Sequence, residues 1–333
     1  MTAEQHFLVT GAYGCIGSWA VRLLLDQGCG VTTYDLGGSD HRLRLLLDDD
    51  ELGALDRVAG DVTDLDQLRG TIEDRGVTHV IHLAALQVPF VRANPPLGAR
   101  VNVVGTVSVF EAVRAAPMAG TLTYASSIAA YDPPEPGREH EQRGVPSTLY
   151  GVFKRANEET AGVYWADHTI ASVGLRPHTV YGLGRDQGVT SAPTKAMLAA
   201  AAGTAYRIPY GGRAELQHAR DVARQFIACS RATVQGALVL DPPGRPTSIA
   251  EVIEAIVAAA PEAEGKVDFD DVVGVGVPEQ GDTASFVALL GDLPTIPLRE
   301  GVAETIESFR GLLARGLVKP EPATPEGRRA SST

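Results

Sequence analysis

Thr10-Gly11-Ala12-Tyr13-Gly14-Cys15-Ile16-Gly17 is the stretch that decides how this chain is read. A short apolar run, His6 to Thr10, leads into it, and a helical stretch, Ser18 to Asp26, leads out. The glycines therefore fall on a tight strand-to-helix turn. Such a turn sets backbone N–H groups and a helix N-terminus where a pyrophosphate can sit. Gly11 allows the turn, Gly14 allows close approach to phosphates, and Gly17 lets the helix pack on the strand. The spacing is G-x-x-G-x-x-G rather than G-x-G-x-x-G, and on the glycines alone a plain connecting turn reads equally well. The next strand tips the balance. It runs from Gly30 to Tyr34 and ends in Asp35, about 20 residues on, where a carboxylate holds the hydroxyls of an adenosine ribose. The same carboxylate repels a 2′-phosphate, so the pattern favours NAD over NADP.

Downstream, strands alternate with helical stretches. A short strand ends at Val58-Ala59-Gly60-Asp61, a helix runs from Leu65 to Asp74, and Thr78 to Ala85 reads as a buried strand. A helix over Pro96 to Ala115 comes next, then a strand from Thr121 to Tyr124 that exits into Ala125-Ser126-Ser127. A helix from Pro146-Ser147-Thr148 to about Trp165 precedes the strand Ala171 to Arg176. This alternation predicts an α/β fold, a Rossmann-type doubly wound parallel sheet covered on both faces. The proline-rich stretch Asp132 to Gly137 is expected to overhang the carboxyl edge of the sheet. After Gly182 glycines interrupt the pattern, which predicts a smaller C-terminal substrate lobe. The expected division is 1–176 for the cofactor domain, with a strand near 236–241 returning to its sheet, 177–317 for the lobe, and 318–333 for a poorly ordered, proline-containing tail.

Tyr150-Gly151-Val152-Phe153-Lys154 puts a phenol and an ammonium one helical turn apart. A cation there favours the phenolate, and a Tyr so tuned exchanges a proton with a substrate hydroxyl near neutral pH. Ser127, at a strand end, can donate to the same substrate oxygen. By itself the pair also reads as an ordinary surface helix pair; its company argues for chemistry.

Taken together these motifs resemble the extended short-chain dehydrogenases/reductases, of the NAD-dependent epimerase/dehydratase kind. The likeness is carried by the glycine turn, Asp35, Gly60-Asp61-Val62, His82-Leu83-Ala84-Ala85, Asn102-Val103-Val104-Gly105-Thr106, Ser126-Ser127, Tyr150 with Lys154, and Arg176-Pro177 with Val180-Tyr181-Gly182 after it. The resemblance implies Tyr150 as the acid/base, Lys154 as the holder of the nicotinamide ribose, and Ser127 as the group that positions the reacting oxygen. It implies NAD contacts from Gly11, Tyr13, Gly14, Cys15, Ile16, Gly17 and Asp35, from Asp61 and Val62 at the adenine, and from Leu83, Ala84 and Ala85 along the pyrophosphate and ribose. Asn102 is expected near the cofactor or buttressing the site. Ala125, Tyr150, Lys154, Pro177, Thr179 and Val180 complete the cofactor set. Gln87, Ser126, Ser127, His178, Thr179 and Arg185 are expected to face the substrate. A twofold pairing of the helices over 96–115 and 148–165 is implied too, through Val101, Val104 and Phe110 on one, and Val152, Phe153, Val163 and Tyr164 on the other.

Several positions depart from nucleotide-sugar epimerases. Gln87 stands where they often carry Lys, Thr179 where they often carry Asn, Ala214 at an expected Arg, and Glu279-Gln280 before Gly281-Asp282 at a second. These arginines grip a diphosphate; Arg185, Arg207 and Arg213 are the candidates to replace them. The first expectation is an NAD-dependent oxidoreductase acting on a secondary alcohol of a sugar-like, polyol or hydroxy-acid substrate. The alternative is a sugar or nucleotide-sugar epimerase; a non-catalytic NAD sensor is a third reading.

Composition narrows the field. Of 333 residues, 44% are hydrophobic and the net charge is −12, which argues against nucleic acid and anionic membrane as partners. Cys15, Cys29 and Cys229 form no C-x-x-C pair, and the eight histidines show no metal-ligand spacing, so no metal is expected. No apolar run reaches about 18 residues, and the chain opens without a basic flank and apolar core, so a cytoplasmic protein is expected, and the resemblance implies a homodimer.

Overall fold

The computed structural model describes residues 5–131, 146–271 and 283–320. Twelve strands are present among them: β1 (His6–Thr10), β2 (Gly30–Asp35), β3 (Asp56–Ala59), β4 (His79–His82), β5 (Leu122–Ala125), β6 (Ser172–Leu175), β7 (Thr179–Tyr181), β8 (Tyr206–Ile208), β9 (Arg213–His218), β10 (Ala237–Leu240), β11 (Arg245–Ser248) and β12 (Val267–Phe269). Seven form one parallel sheet in the order β10-β6-β5-β4-β1-β2-β3. The order reverses between β1 and β4, which opens a crevice at their carboxyl ends. The chain is thus a Rossmann-type α/β protein.

On one face of the sheet lie α1 (Cys15–Asp26), α2 (His41–Arg44) and α3 (Asp49–Ala54); on the other, α4 (Leu65–Asp74), α5 (Val88–Ala93), α6 (Pro95–Ala99), α7 (Gly105–Arg114) and α8 (Leu149–His168). Successive residues of β1 supply both cores: Phe7 and Val9 pack with Val21 and Leu24, whereas Leu8 packs with Val80, Val109 and Phe110. Five further helices complete the described chain: α9 (Ala192–Ala202), α10 (Ala219–Arg231), α11 (Ile249–Ala259), α12 (Ala284–Leu290) and α13 (Leu298–Ala314). Met197, Val252, Ile256, Val302, Ile306 and Phe309, from α9, α11 and α13, belong to a separate hydrophobic core.

Two features add detail to the expected boundaries. The return to the sheet is larger than one strand: α10 also lies against it, burying Val222, Phe226 and Ile227 among Phe7, Val9 and Leu24. The single helix expected over 96–115 contains a π-turn, Arg100–Val104, between α6 and α7. The proline-rich stretch from Asp132, Glu279-Gln280-Gly281-Asp282, and the tail beyond Pro320 lie outside the described residues.

Candidate active site

At the turn after β1, Gly11 has φ +67°, and a Cβ there would lie 2.6 Å from the Ala84 nitrogen. Backbone packing against the Leu83-Ala84 exit of β4 therefore requires glycine as firmly as the dihedral does. A Cβ on Gly17 would overlap the Gly11 carbonyl and the Ala12 backbone, so this glycine seats α1 on its own turn. Gly14 is the N-cap of α1. Asp35, at the end of β2, accepts from the Tyr13 N–H at 3.0 Å and the Leu36 N–H at 2.9 Å. Burial raises its pKa despite those donors.

A cavity of about 340 Å³ opens here, bordered by Gly11, Tyr13, Gly14, Cys15, Asp35, Asp61, Val62, Leu83, Ala84 and Ala85 among others. Asp61 fixes its own turn, accepting from the N–H and hydroxyl of Thr63 at 2.9 Å. A second cavity, about 580 Å³, shares Gly11, Gly14, Cys15, Leu83, Ala85, Gln87 and Arg185 with the first, so the two form one groove. It adds Ile16, Gly17, Ala125, Ser126, Ser127, Tyr150, Lys154, Pro177, His178, Thr179 and Val180. The topology brings these together: β5 ends at Ala125, α8 begins at Leu149 under the Thr148 cap, and β7 comes after β6 with a break at Pro177.

Lys154 is 3% exposed; its Nζ donates to the Ala125 carbonyl at 2.5 Å and lies 5.6 Å from the Tyr150 ring centroid. Burial pulls its pKa down to about 8, with Glu158 holding it up. Tyr150 corrects one expectation. Burial pushes the phenol's pKa up; a hydrogen bond with Ser127 and the charge of Arg185 oppose that rise, rather than Lys154. Ser127 also caps the short turn after it, accepting from the Ala129 N–H at 3.2 Å.

Two further residues are engaged by protein partners. Asn102 borders neither cavity: its Oδ1 accepts from the Leu86 N–H at 2.7 Å and its Nδ2 donates to the Leu86 carbonyl at 2.9 Å. It sits in the π-turn, 1% exposed, and pins the loop after β4, which is the buttressing one of its two expected roles. Ser126 borders the catalytic cavity, but its hydroxyl donates to Glu158, which also takes two bonds from Arg176 at 2.7 Å. His178, 8% exposed, has Nε2 3.5 Å from Glu215, and burial lowers its pKa to about 4.

Sequence reading missed the strap over residues 183–190. Arg42 donates to the Tyr13 carbonyl at 3.0 Å, to the Gly184 carbonyl at 3.1 Å, and to Asp186 at 2.9 and 2.6 Å. His41 adds a 2.6 Å contact to Asp186, and the Trp19 indole N–H donates to the Leu183 carbonyl at 2.9 Å. The strap is thus tied across the glycine turn, and Arg42 is engaged there rather than free to cover a 2′-phosphate.

A match to the NAD dependent epimerase/dehydratase family spans residues 7–238. The chain belongs to that family. Over 313 residues it is 30% identical to a UDP-glucose 4-epimerase of Mycolicibacterium smegmatis, covering 91% of this chain and 98% of that protein. It is 33% identical over 185 residues to UDP-glucuronate 4-epimerase 2 of Arabidopsis thaliana, covering 53% of this chain but only 42% of that relative. The chain thus spans about two fifths of the length of the plant relatives it matches. The crystal structure of a UDP-glucose 4-epimerase from Brucella ovis in complex with NAD is 25% identical, with a TM-score of 0.73 over 92% of this chain and 98% of that one. An L-threonine dehydrogenase structure from Clostridium difficile shares the fold at 18% identity and a TM-score of 0.79. Family membership makes NAD the cofactor, and the residues fit it: the groove offers a glycine turn at a helix N-terminus and a carboxylate at the end of β2.

Proposed function

We propose that the chain is an NAD-dependent oxidoreductase of the extended short-chain type, transferring hydride from a secondary alcohol of a sugar-like, polyol or hydroxy-acid substrate. The observation that carries this is the convergence of Ser127, Tyr150 and Lys154 on a cavity continuous with the glycine turn. Bound NAD supplies the hydride acceptor. Tyr150, as the phenolate, takes the hydroxyl proton and becomes the phenol, Ser127 holds the reacting oxygen through its hydroxyl, and Lys154, fixed by Ala125, would meet the nicotinamide ribose. Gln87, Thr179 and Arg185 border the substrate.

The runner-up is a sugar or nucleotide-sugar epimerase, favoured by the full-length likeness to the mycobacterial UDP-glucose 4-epimerase. Against a UDP-linked substrate stands the placement of the candidate replacement arginines. Arg207 pairs with Asp268 and Asp270 at the surface, and Arg213, also exposed, donates to the Pro246 carbonyl. Of the three only Arg185 borders the groove. Incubation with NAD and a panel of free and UDP-linked sugars decides between the readings: a dehydrogenase accumulates NADH, an epimerase interconverts sugars without it, and a sensor does neither.

The division at 176/177 and a cytoplasmic homodimer belong to the same reading. Among the described residues no helix is long and apolar enough to cross a membrane. Pairing is supported by Val104, Val152 and Val163, exposed by 50%, 41% and 57% on the helices expected to pair. Phe110 does not share that face; it is fully buried and stacks on Tyr164 at 4.8 Å. Light scattering at micromolar concentration should return twice the chain mass.

A further inference from the structure

The catalytic cavity is lopsided in charge. In a chain of net charge −12, its described lining includes Arg92, Lys154 and Arg185 and no aspartate or glutamate. Lys154 is committed to the Ala125 carbonyl and balanced by Glu158. Arg42, across the groove, is neutralised by Asp186. Arg185 differs from both. Its Nη2 donates to the Thr190 hydroxyl at 2.9 Å, its Nε is buried without a partner, and among the described residues no carboxylate pairs with it. It borders the catalytic cavity together with Tyr150, and its charge favours the charged form of that phenol. Gly188, at φ +91°, keeps room for the fork: a Cβ there would lie 3.4 Å from the Arg185 Nη2 and 2.5 Å from the Gln87 Oε1. A half-buried guanidinium without a counter-charge is unfavourable, and a planar anion relieves it with two parallel hydrogen bonds.

We infer that Arg185 receives an anionic group of the substrate, a carboxylate or a phosphate, beside Tyr150. This rests on the oxidoreductase reading and narrows its substrate class from sugar-like, polyol or hydroxy-acid alcohols to those that carry an anion: hydroxy acids, uronates and sugar phosphates. The glycine turn already presents a helix N-terminus to the cofactor's pyrophosphate, which leaves this arginine for a second anion.

The test is calorimetric titration of NAD-loaded protein with D-glucuronate, D-glucose 1-phosphate and D-glucose. At least one anion should bind about tenfold or more tightly than glucose, and the preferred one identifies the group. Arg185→Gln should erase the preference and leave NAD affinity unchanged; Arg185→Lys, which keeps the charge but loses the fork, should retain part of it. Equal behaviour of the three probes overturns the inference, as does a preference that survives Arg185→Gln. A loss of NAD affinity in Arg185→Gln as large as the loss for the sugar anion also overturns it, by assigning this arginine to the pyrophosphate. Failure of the oxidoreductase reading shows elsewhere, in sugar interconversion without NADH accumulation or in undiminished turnover by Tyr150→Phe.

Discussion

The two ends of the groove are built from different materials. At the adenosine end, backbone does the shaping: Gly11 and Gly17 pack on neighbouring main chain, and Asp35 and Asp61 accept from main-chain N–H groups. At the catalytic end, side chains do it, drawn from β5, α8, β7 and the strap, and polar atoms there, such as the His178 Nδ1 and the Arg185 Nε, have no hydrogen-bond partner among the described residues. Backbone-built geometry is satisfied before a ligand arrives; side-chain geometry is finished by the ligand. That difference separates what the family shares from what an individual member selects.

The strongest way to break this comparison is Tyr150→Phe. It removes the phenol oxygen and keeps the ring, so turnover should fall by about 10²–10⁴-fold, the usual share of general acid–base catalysis. Calorimetry should find NAD affinity unchanged, because the glycine turn and Asp35 remain; a matching loss of affinity would mean that the two ends are not separable.

Asp35→Ala tests the other end. It should cost NAD affinity roughly 10- to 100-fold, the worth of hydrogen bonds to a charged group, and narrow the gap to NADP. Turnover at saturating NAD should change little. Tighter binding of NADP than of NAD by the unaltered protein would sink the assignment of this carboxylate.

Lys154 gives the smallest and most diagnostic effect, through pH. Its folded pKa, about 8, lies below the ordinary lysine value of 10.5. The ammonium is therefore lost as pH rises through about 8, and NAD affinity should weaken there. Stability should move the other way. Between pH about 8 and 10.5 the unfolded chain binds the proton that the folded chain does not, so unfolding free energy rises with pH across that window. Lys154→Met should flatten both curves, seen by parallel NAD titrations and denaturant melts.

The same division explains what was legible in the sequence. The glycine turn, Asp35 and the Tyr150–Lys154 spacing are local, and each forces its own geometry. Asn102 is legible as a motif residue but not in its role, because the π-turn that aims it at Leu86 depends on how α6 and α7 pack. Spacing places Phe110 on an outer face because a helical period does not say which stripe meets the sheet. The Arg42–Asp186 tie joins residues 144 positions apart, and nothing local marks either partner.

The strand β10 gives the sheet a history as well as a shape. It pairs with β6 across a long excursion of the chain, from Leu175 to Ala237, and Thr121, just before β5, donates to the carbonyls of Ser230 and Ala232 at the end of α10. On the ribosome the first six strands emerge with β6 as an open edge and with the place of α10, beside α1 on one face of the sheet, still empty. Both stay bare until much of the lobe has been made. An open apolar edge of that kind invites pairing with another nascent chain. Ribosome-bound intermediates halted between residues 176 and 240 are thus the point in its synthesis where this protein most needs shelter from its own copies.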